Sequence, residues 1–369
     1  MHAFSIRDFE AEARRRLSPA VYDLFAGGGG DEVTLRANTA AFARIGLVPR
    51  ALRGSRERNL EVMLLGRRAS MPIILAPTAF HRLAHPEGER ASARAAARTG
   101  TIMIASMAST VAIEEIAAAA RTAAIDADPD LWFQLYIQPD LGFTEAIVHR
   151  AEESGCKALV VTVDSPLFVK RERDLRNGFL DLPSGLCCEN MRVRGAGDEW
   201  TPARPIAFSP ELSWDHIDWL RRVAKVPIAL KGISHPEDAA LAVGHGVDAL
   251  IVSNHGGRQL DTVPATIELL PGIADAVAGR IPLLLDGGIR RGTDVVKALA
   301  LGATAVAIGR PALWGLAAAG EDGVAAVLEL LRAELDHAMA LCGCRSLQDL
   351  GRDLLRLPSM ESRCWSSES

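Results

Sequence analysis

Asp248-Ala249-Leu250-Ile251-Val252 runs directly into Ser253-Asn254-His255-Gly256-Gly257-Arg258-Gln259-Leu260-Asp261. The first segment is an unbroken apolar row without alternation, the pattern of a strand covered on both faces. The second is polar and carries glycines, so a histidine, two glycines and an arginine stand just past the C-terminal end of a strand. His255 can exchange a proton near neutral pH. Arg258 offers a planar fork of donors that fits a carboxylate. Gly256 and Gly257 let the backbone approach a flat or bulky ligand. Alone, the stretch has a plainer reading as a polar loop with a turn. The chemical reading is proton removal from a small carboxylate-bearing substrate.

Seven more apolar runs surround this one: Pro72–Ala76, Thr101–Ala105, Leu131–Leu135, Ala158–Val163, Val226–Lys231, Pro282–Asp286 and Thr304–Ile308. Ala-rich segments of helical periodicity separate many of them, among them Glu87–Arg98, Pro236–Gly244, Thr293–Leu301 and Gly323–Ala340. Eight strand–helix units describe a (β/α)8 TIM barrel over residues 71–345, preceded by an N-terminal helical segment, 1–70, in one domain spanning 1–369. One spacing departs from the rhythm. About sixty residues separate the fourth run from the fifth, and 177–210 is rich in glycine, proline and scattered charge, which predicts a long mobile lid over the barrel mouth. Gly27-Gly28-Gly29-Gly30 lacks a preceding strand and the GxGxxG spacing, so it is read as a loose turn after a helix rather than a dinucleotide fingerprint.

In such barrels the loops after the strands build the active site. Reactive residues gather there: Pro77, Thr78 and Ala79 after the first run, Ser106 after the second, Gln134 and Tyr136 at the third, Thr162 and Asp164 at the fourth with Arg171 beyond. The fifth run ends in Lys231, the seventh in Asp286-Gly287-Gly288 with Arg290, and the eighth in Gly309-Arg310. A lysine at a strand end is ordinarily a solvated terminus and an aspartate a helix cap; the signal lies in their joint occurrence. The glycine–arginine pairs after runs seven and eight are where barrels commonly hold a phosphate, on backbone N–H groups at helix N-termini.

Composition narrows the function classes. The chain has 369 residues, 49% of them hydrophobic, with a formal net charge of −5 and no Lys/Arg run, which excludes a nucleic-acid footprint. No apolar stretch is long enough to span a membrane. Cys156, Cys187, Cys188, Cys342, Cys344 and Cys364 show neither zinc nor disulfide spacing. The segment Met1–Asp8 lacks an apolar signal core, and Ser366–Ser369 is not a peroxisomal address, so a cytoplasmic location is expected. Two histidines, His81 and His85, stand four apart, but no Glu follows His81 and Pro86 stops a helix there, so no metal is expected. Cys342-Gly343-Cys344 reads as a helix-end turn, and Trp214 and Trp219 as packing residues.

The quoted motif resembles the active-site signature of the FMN-dependent 2-hydroxy-acid oxidases and dehydrogenases, which include glycolate, long-chain hydroxy-acid, lactate and mandelate-oxidising enzymes. The resemblance extends through Ala76-Pro77-Thr78-Ala79, His85-Pro86-Glu87-Gly88-Glu89, Phe133-Gln134-Leu135-Tyr136, Thr162-Val163-Asp164, Leu230-Lys231-Gly232, Asp286-Gly287-Gly288-Ile289-Arg290 and Ile308-Gly309-Arg310-Pro311, in family order. It implies FMN as cofactor, an (S)-2-hydroxy acid as substrate, O2 as electron acceptor and a homotetramer or octamer. It implies His255 as base, Asp164 as its partner, Arg258 and Arg171 as carboxylate clamps and Tyr136 as hydrogen-bond donor. Lys231 would lie near the flavin N1/C2 oxygen. Pro77, Thr78, Ala79, Ser106, Gln134, Thr162 and Ser253 would line the flavin, Asp286 would hold the ribityl chain, and Gly288, Arg290, Gly309 and Arg310 the phosphate. The open alternative is a flavin dehydrogenase that passes electrons to a quinone or protein; a catalytically dead barrel is a third reading.

Two positions depart from the glycolate-oxidising pattern. Relatives often read Tyr-Asp-Tyr where this chain has Tyr22-Asp23-Leu24, and often place a large aromatic at the position of Ala108. With Phe80, these residues imply a pocket for an acid bulkier than glycolate, aromatic or long-chain.

Overall fold

Alternate residues of the barrel strands face opposite sides, and both sides are apolar. Ile74, Ile104, Trp132, Val160, Ala229, Ile251, Leu284 and Ala307 join one buried cluster, inside the barrel. Their neighbours Ile73, Leu75, Met103, Phe133, Leu159, Leu250, Leu285 and Val306 join the other, against the helices. This explains why the strands read as continuous apolar runs. The computed structural model describes residues 3–54, 56–124, 128–195 and 199–357. Met1, His2, Cys364 and Ser366–Ser369, which entered the reading of the chain's ends and cysteines, lie outside them.

The strands are β1 (Ile73–Leu75), β2 (Met103–Ser106), β3 (Leu131–Leu135), β4 (Leu159–Thr162), β5 (Ile228–Ile233), β6 (Ala249–Val252), β7 (Leu283–Asp286) and β8 (Ala305–Ile308). They pair in parallel in chain order, and β8 closes onto β1 through Val306 opposite Ile73. All eight expected runs are strands, with edges moved by a residue or two. The exception is β5, which continues past Lys231 to Ile233 with a register shift against β6, so Lys231 lies within the strand and not at its end.

Before the barrel come α1 (Ile6–Arg16), α2 (Pro19–Ala26) and α3 (Val33–Ala43). Ser18 Oγ accepts from Val21 N and Pro19 opens α2, an orthodox N-cap. Residues 1–70 are not wholly helical, however. Gly46–Leu47 pairs antiparallel with Leu355–Arg356, and Val62–Leu64 with Arg67–Ala69 forms a hairpin whose Val62, Leu64 and Ala69 join the inner barrel cluster. Nor is Gly27–Gly30 a loose turn. Gly29 N donates to Gly257 O at 2.9 Å, and a Cβ on Gly29 would collide with Gln259 O. The glycines dock the N-terminal segment onto the loop after β6, a contact between distant parts of the chain that no local pattern announces.

Between and after the strands run α4 (Gly88–Arg98), α5 (Ile113–Ala123), α6 (Leu141–Glu153), α7 (Glu172–Arg176), α8 (Trp214–Val223), α9 (Pro236–Gly244), α10 (Thr266–Val277), α11 (Gly292–Ala300) and α12 (Arg310–Cys342). The last is broken at Ala319–Gly320 and ends at Gly343, whose φ of 74° is a left-handed C-cap. The loop after β4 lies over the mouth and is anchored in its middle. Arg150 Nη1 donates to Glu189 O and Arg192 O at 3.0 and 2.8 Å, and Asn190 takes Ile113 N at 2.8 Å. Among the described residues no helix is long and apolar enough to cross a membrane.

Candidate active site

A cavity of about 650 Å³ opens at the C-terminal ends of the strands, within the usual range of about 300–1,000 Å³ for small-molecule sites. Of the cofactor, catalytic and pocket residues expected from the sequence, Asp164 and Ser253 do not line it but stand behind residues that do; Gly257, expected to admit a ligand, instead packs against Leu35.

One end is built from strand termini. Gln134 and Thr162, in β3 and β4, are buried and reach the cavity beside Ser106. Gln134 Oε1 accepts from Ser106 Oγ at 2.9 Å, whereas its Nε2 is buried without a partner. Lys231, 4% exposed, is no solvated terminus: its Nζ lies 3.0 Å from Asp286 Oδ2 and donates to Ser253 Oγ at 2.8 Å. Burial works against its charge, but Asp286 and Asp164 outweigh that and raise its pKa above the ordinary lysine value. Asp286 Oδ1 is left buried and unpaired. Such orphaned polar atoms are expensive and mark where a bound molecule must complete the bonding.

Beyond Asp286 the backbone turns through Gly287 and Gly288, both at positive φ, 94° and 88°. A Cβ on Gly288 would strike Asn38 O, so only glycine fits there. Gly309, with Pro77, Thr78 and Ala79, forms the facing wall. Arg290 is pushed below the ordinary arginine range by burial, and Arg310 to about 10 by burial and then by Arg290. Two buried guanidiniums side by side call for an anion. Arg310 uses three of its five N–H donors on protein: Nε on Phe25 O at 2.9 Å, Nη1 on Gly256 O at 2.9 Å and Nη2 on Gly27 O at 2.8 Å. It staples the glycine-rich segment to the loop after β6 and adds charge to the cavity wall.

At the other end His255 Nδ1 lies 2.7 Å from Asp164 Oδ1. Burial alone would raise the Asp164 pKa, but His255 and then Lys231 hold it below the usual carboxylate value. An ionised carboxylate at Nδ1 keeps the proton there and leaves Nε2 as the basic nitrogen. His255 adopts φ 57°, unusual for a side chain of its size, with its N–H on Ser253 Oγ at 3.0 Å. Phe80, at φ 65°, is with His255 one of the two non-glycine residues at positive φ in the described wall.

Arg258 gives Nη1 to Leu24 O and Gly27 O at 2.7 and 3.0 Å, which leaves its Nε–Nη2 edge free. Burial, then the charges of Arg171 and Arg310, push its pKa well below the arginine norm. Arg171 Nε pairs with Asp174 Oδ2 at 2.6 Å. Burial and the Asp164 charge raise the Tyr136 pKa, so its hydroxyl stays protonated. Leu24, Phe80 and Ala108 line the cavity as expected.

Several residues of the site were not singled out from sequence: Ser165, behind the wall, and Phe168 and Phe208, in it. Ser165 accepts from Gln259 Nε2 and lies 3.3 Å from His255 Nδ1; the one signal for it was its place next to Asp164. Phe168 and Phe208, from the loop after β4, form an aromatic wall with Tyr136, the Tyr136–Phe208 centroids being 5.1 Å apart at 72°. That loop has no periodicity from which to place them. Both ring nitrogens of His81 are taken, by Thr78 Oγ1 at 2.7 Å and Ser92 Oγ at 3.0 Å.

Comparison with known proteins bears on this arrangement. A family model described as FMN-dependent dehydrogenase matches residues 13–357. An L-lactate oxidase of Nostoc sp. is 47% identical over 359 residues, 95% of this chain and 97% of the relative. The 2-hydroxyacid oxidase 1 of Homo sapiens is 45% identical over 363 residues, 95% of this chain and 96% of the relative. A crystal structure of mandelate oxidase superposes with TM-score 0.86 at 43% identity, covering 96% of this chain and 98% of that one.

Proposed function

This chain belongs to the FMN-dependent dehydrogenase family, and from that premise we propose that it oxidises an (S)-2-hydroxy acid with an aryl or long alkyl side chain to the 2-oxo acid, O2 being reduced to H2O2. The observation that carries the reading is the joint placement, in one cavity, of a carboxylate-held histidine and two arginines with unspent donors.

The residues present fit FMN. Gln134 Nε2 and Asp286 Oδ1 are an unpaired donor and acceptor where an isoalloxazine edge and a ribityl hydroxyl need partners. Gly288, held against Asn38, and Gly309, held against Thr78, present their backbone to the cavity where a phosphate would bind, and Arg290 with Arg310 supplies the charge. Thr162, Ser106, Ala79, Thr78 and Pro77 complete the cofactor wall, and Ser253 fixes Lys231. Bound FMN supplies the two-electron acceptor.

The chain's own groups then divide the work. Arg258, through Nε and Nη2, and Arg171, through its terminal nitrogens, hold the substrate carboxylate. Tyr136 donates its phenolic proton to a substrate oxygen. His255 Nε2 takes the proton released in the oxidation, and Asp164 balances the imidazolium that results. Lys231 sets a fixed positive charge at the cofactor end. The described parts of the loop, 177–195 and 199–210, act as the lid, the rest of that expected lid lying outside the described residues, and Phe168 and Phe208 shield the mouth.

Leu24 and Ala108 support a bulky substrate. Where a tyrosine hydroxyl would hold a small acid, Leu24 offers apolar surface, and burying a phenyl or alkyl group there is worth roughly 1.5–3 kcal/mol. That is comparable with the roughly 1.5–3 kcal/mol of one hydrogen bond to a carboxylate. A cytoplasmic location and a homotetramer or octamer belong to the same proposal, although plant relatives carry peroxisomal in their names.

The test is stoichiometry. One H2O2 formed and one O2 consumed per 2-oxo acid, with an artificial quinone giving slower turnover than air-saturated buffer, supports the oxidase. Turnover by quinone alone would instead make it a dehydrogenase.

A further inference from the structure

We propose that Asp174 sets the charge selectivity of the cavity, admitting 2-hydroxy acids with one carboxylate and rejecting those with two. The inference rests on the reading of the site as a 2-hydroxy-acid oxidase and adds a specificity-determining residue to it.

Asp174 lies in α7, its side chain 9% exposed, and lines the cavity. Its two oxygens are used unequally. Oδ2 accepts from Arg171 Nε at 2.6 Å. Oδ1 is buried with no hydrogen-bond partner. The same carboxylate acts on Arg258, favouring its charged form against burial and against the repulsion of Arg171 and Arg310. One carboxylate therefore serves two guanidiniums. It occupies the Nε of Arg171 and leaves the terminal nitrogens of that side chain, and the Nε–Nη2 edge of Arg258, for a ligand.

The charge balance at this end follows. Until His255 takes the substrate's proton, ionised Asp164 adds a negative charge beside this end, which opposes a second carboxylate further. Arg171 and Arg258 against Asp174 leave one positive charge, which a single substrate carboxylate neutralises. A second carboxylate overshoots, and its surroundings make it worse. The wall beyond the two arginines carries Ile206 and Phe208, with Leu175 and Leu180 at its exposed rim beside the carboxylate of Asp181, and among the described residues offers no cation of its own. Among the described residues at this end the buried unpaired polar atoms are Asp174 Oδ1 and Asp164 Oδ2, both acceptors. Like charges in a partly desolvated site repel strongly, and an unpaired buried carboxylate keeps its full desolvation cost. Of the other cations in the described wall, Arg290, Arg310 and Lys231 stand at the cofactor end, and Lys170 is exposed at the rim, where solvent and salt screen it. Asp174 is thus a repulsive element built against the wrong substrate.

The experiment uses the FMN-loaded full chain and a pair of substrates that differ in one charge, 2-hydroxyglutarate and its 5-amide. Reduction by any monocarboxylic 2-hydroxy acid is recorded first; its absence would overturn the underlying functional reading and not Asp174 in particular. With that in hand, the wild type is expected to use the amide at least about a hundredfold better in kcat/KM than the diacid. Asp174→Asn, which keeps the shape, should narrow that ratio by about tenfold or more through the KM of the diacid, with FMN content unchanged. Asp174→Glu keeps the charge and should keep the ratio, which preserves the test if the asparagine variant fails to fold. A wild type indifferent to the second charge, a ratio unmoved in Asp174→Asn, or a ratio that collapses in Asp174→Glu would overturn the proposal.

Discussion

The cofactor end and the substrate end of the cavity are made from different kinds of chain. At the first, Gln134 and Thr162 lie in strands, Asp286 is the last residue of β7 and Gly309 the first after β8. At the second, Leu24 comes from α2, Arg171 and Asp174 from in and beside the short α7, and Phe208 from the loop before α8. Strand ends are fixed by the barrel's hydrogen bonds, so they can hold a cofactor with little freedom to change. Loops and an added helix can vary without disturbing the barrel. The arrangement predicts that damage at one end leaves the other working, with His255 at the seam between them.

The largest effect is expected at the seam. His255→Asn keeps a residue that tolerates the left-handed backbone but removes the base. FMN content should stay normal while the rate of flavin reduction by substrate falls by about 10²–10⁴. Near-normal reduction would remove His255 from proton transfer.

Gly288→Ala tests the cofactor end. Its Cβ meets Asn38 O at φ 88°, so FMN affinity should fall by about a hundredfold and stability by roughly 2 kcal/mol or more. FMN dissociation followed by fluorescence gives the affinity. Among molecules that still hold FMN, the preference between two hydroxy acids should be unchanged; a changed preference would mean that the ends are not independent.

Ala108→Trp is the converse. It should lower kcat/KM for an aryl 2-hydroxy acid and raise that for glycolate, moving the ratio by about tenfold, with FMN affinity untouched. A wild type that prefers glycolate to every bulky acid would contradict the pocket reading while sparing the enzyme class.

The smallest effect concerns pH. Asp164 has its pKa lowered by His255 and Lys231 against burial. A depressed carboxylate contributes stability that is present above its unfolded value and is lost as pH falls through the lower folded value. The melting temperature of Asp164→Asn should therefore fall less steeply than that of the wild type on acidification below about pH 4. Parallel curves would mean that the pair adds nothing to stability.

The same contrast governs what could be read from the sequence. Buried parallel strands write themselves as apolar rows, so all eight were legible, and residues at their ends could be assigned to a common mouth. Lys231 was placed at a strand end because the apolar run stops there; the bulge that carries β5 on to Ile233 has no local signature. The position of Arg310 after β8 reads as a phosphate ligand; that three of its donors also go to the Phe25, Gly27 and Gly256 carbonyls has no local signature, since those contacts are set by how the N-terminal segment docks. That docking depends on Gly29 against Gln259, far apart in sequence, and so Gly27–Gly30 reads locally as a turn. Phe168 and Phe208, in loops, and Asp174, in the five-residue α7, belong to the long stretch between β4 and α8, too short of periodic pattern for side-chain direction to be read locally; tertiary anchors such as Arg150 set it.

The most direct measurement is an anaerobic titration of the FMN-loaded protein with an aryl (S)-2-hydroxy acid, followed by flavin absorbance and by the 2-oxo acid formed. Full bleaching with one 2-oxo acid per FMN, and recovery of the oxidised spectrum with one H2O2 on admitting air, is the predicted result. A flavin that stays oxidised in the presence of every 2-hydroxy acid, with His255 intact, would contradict the account.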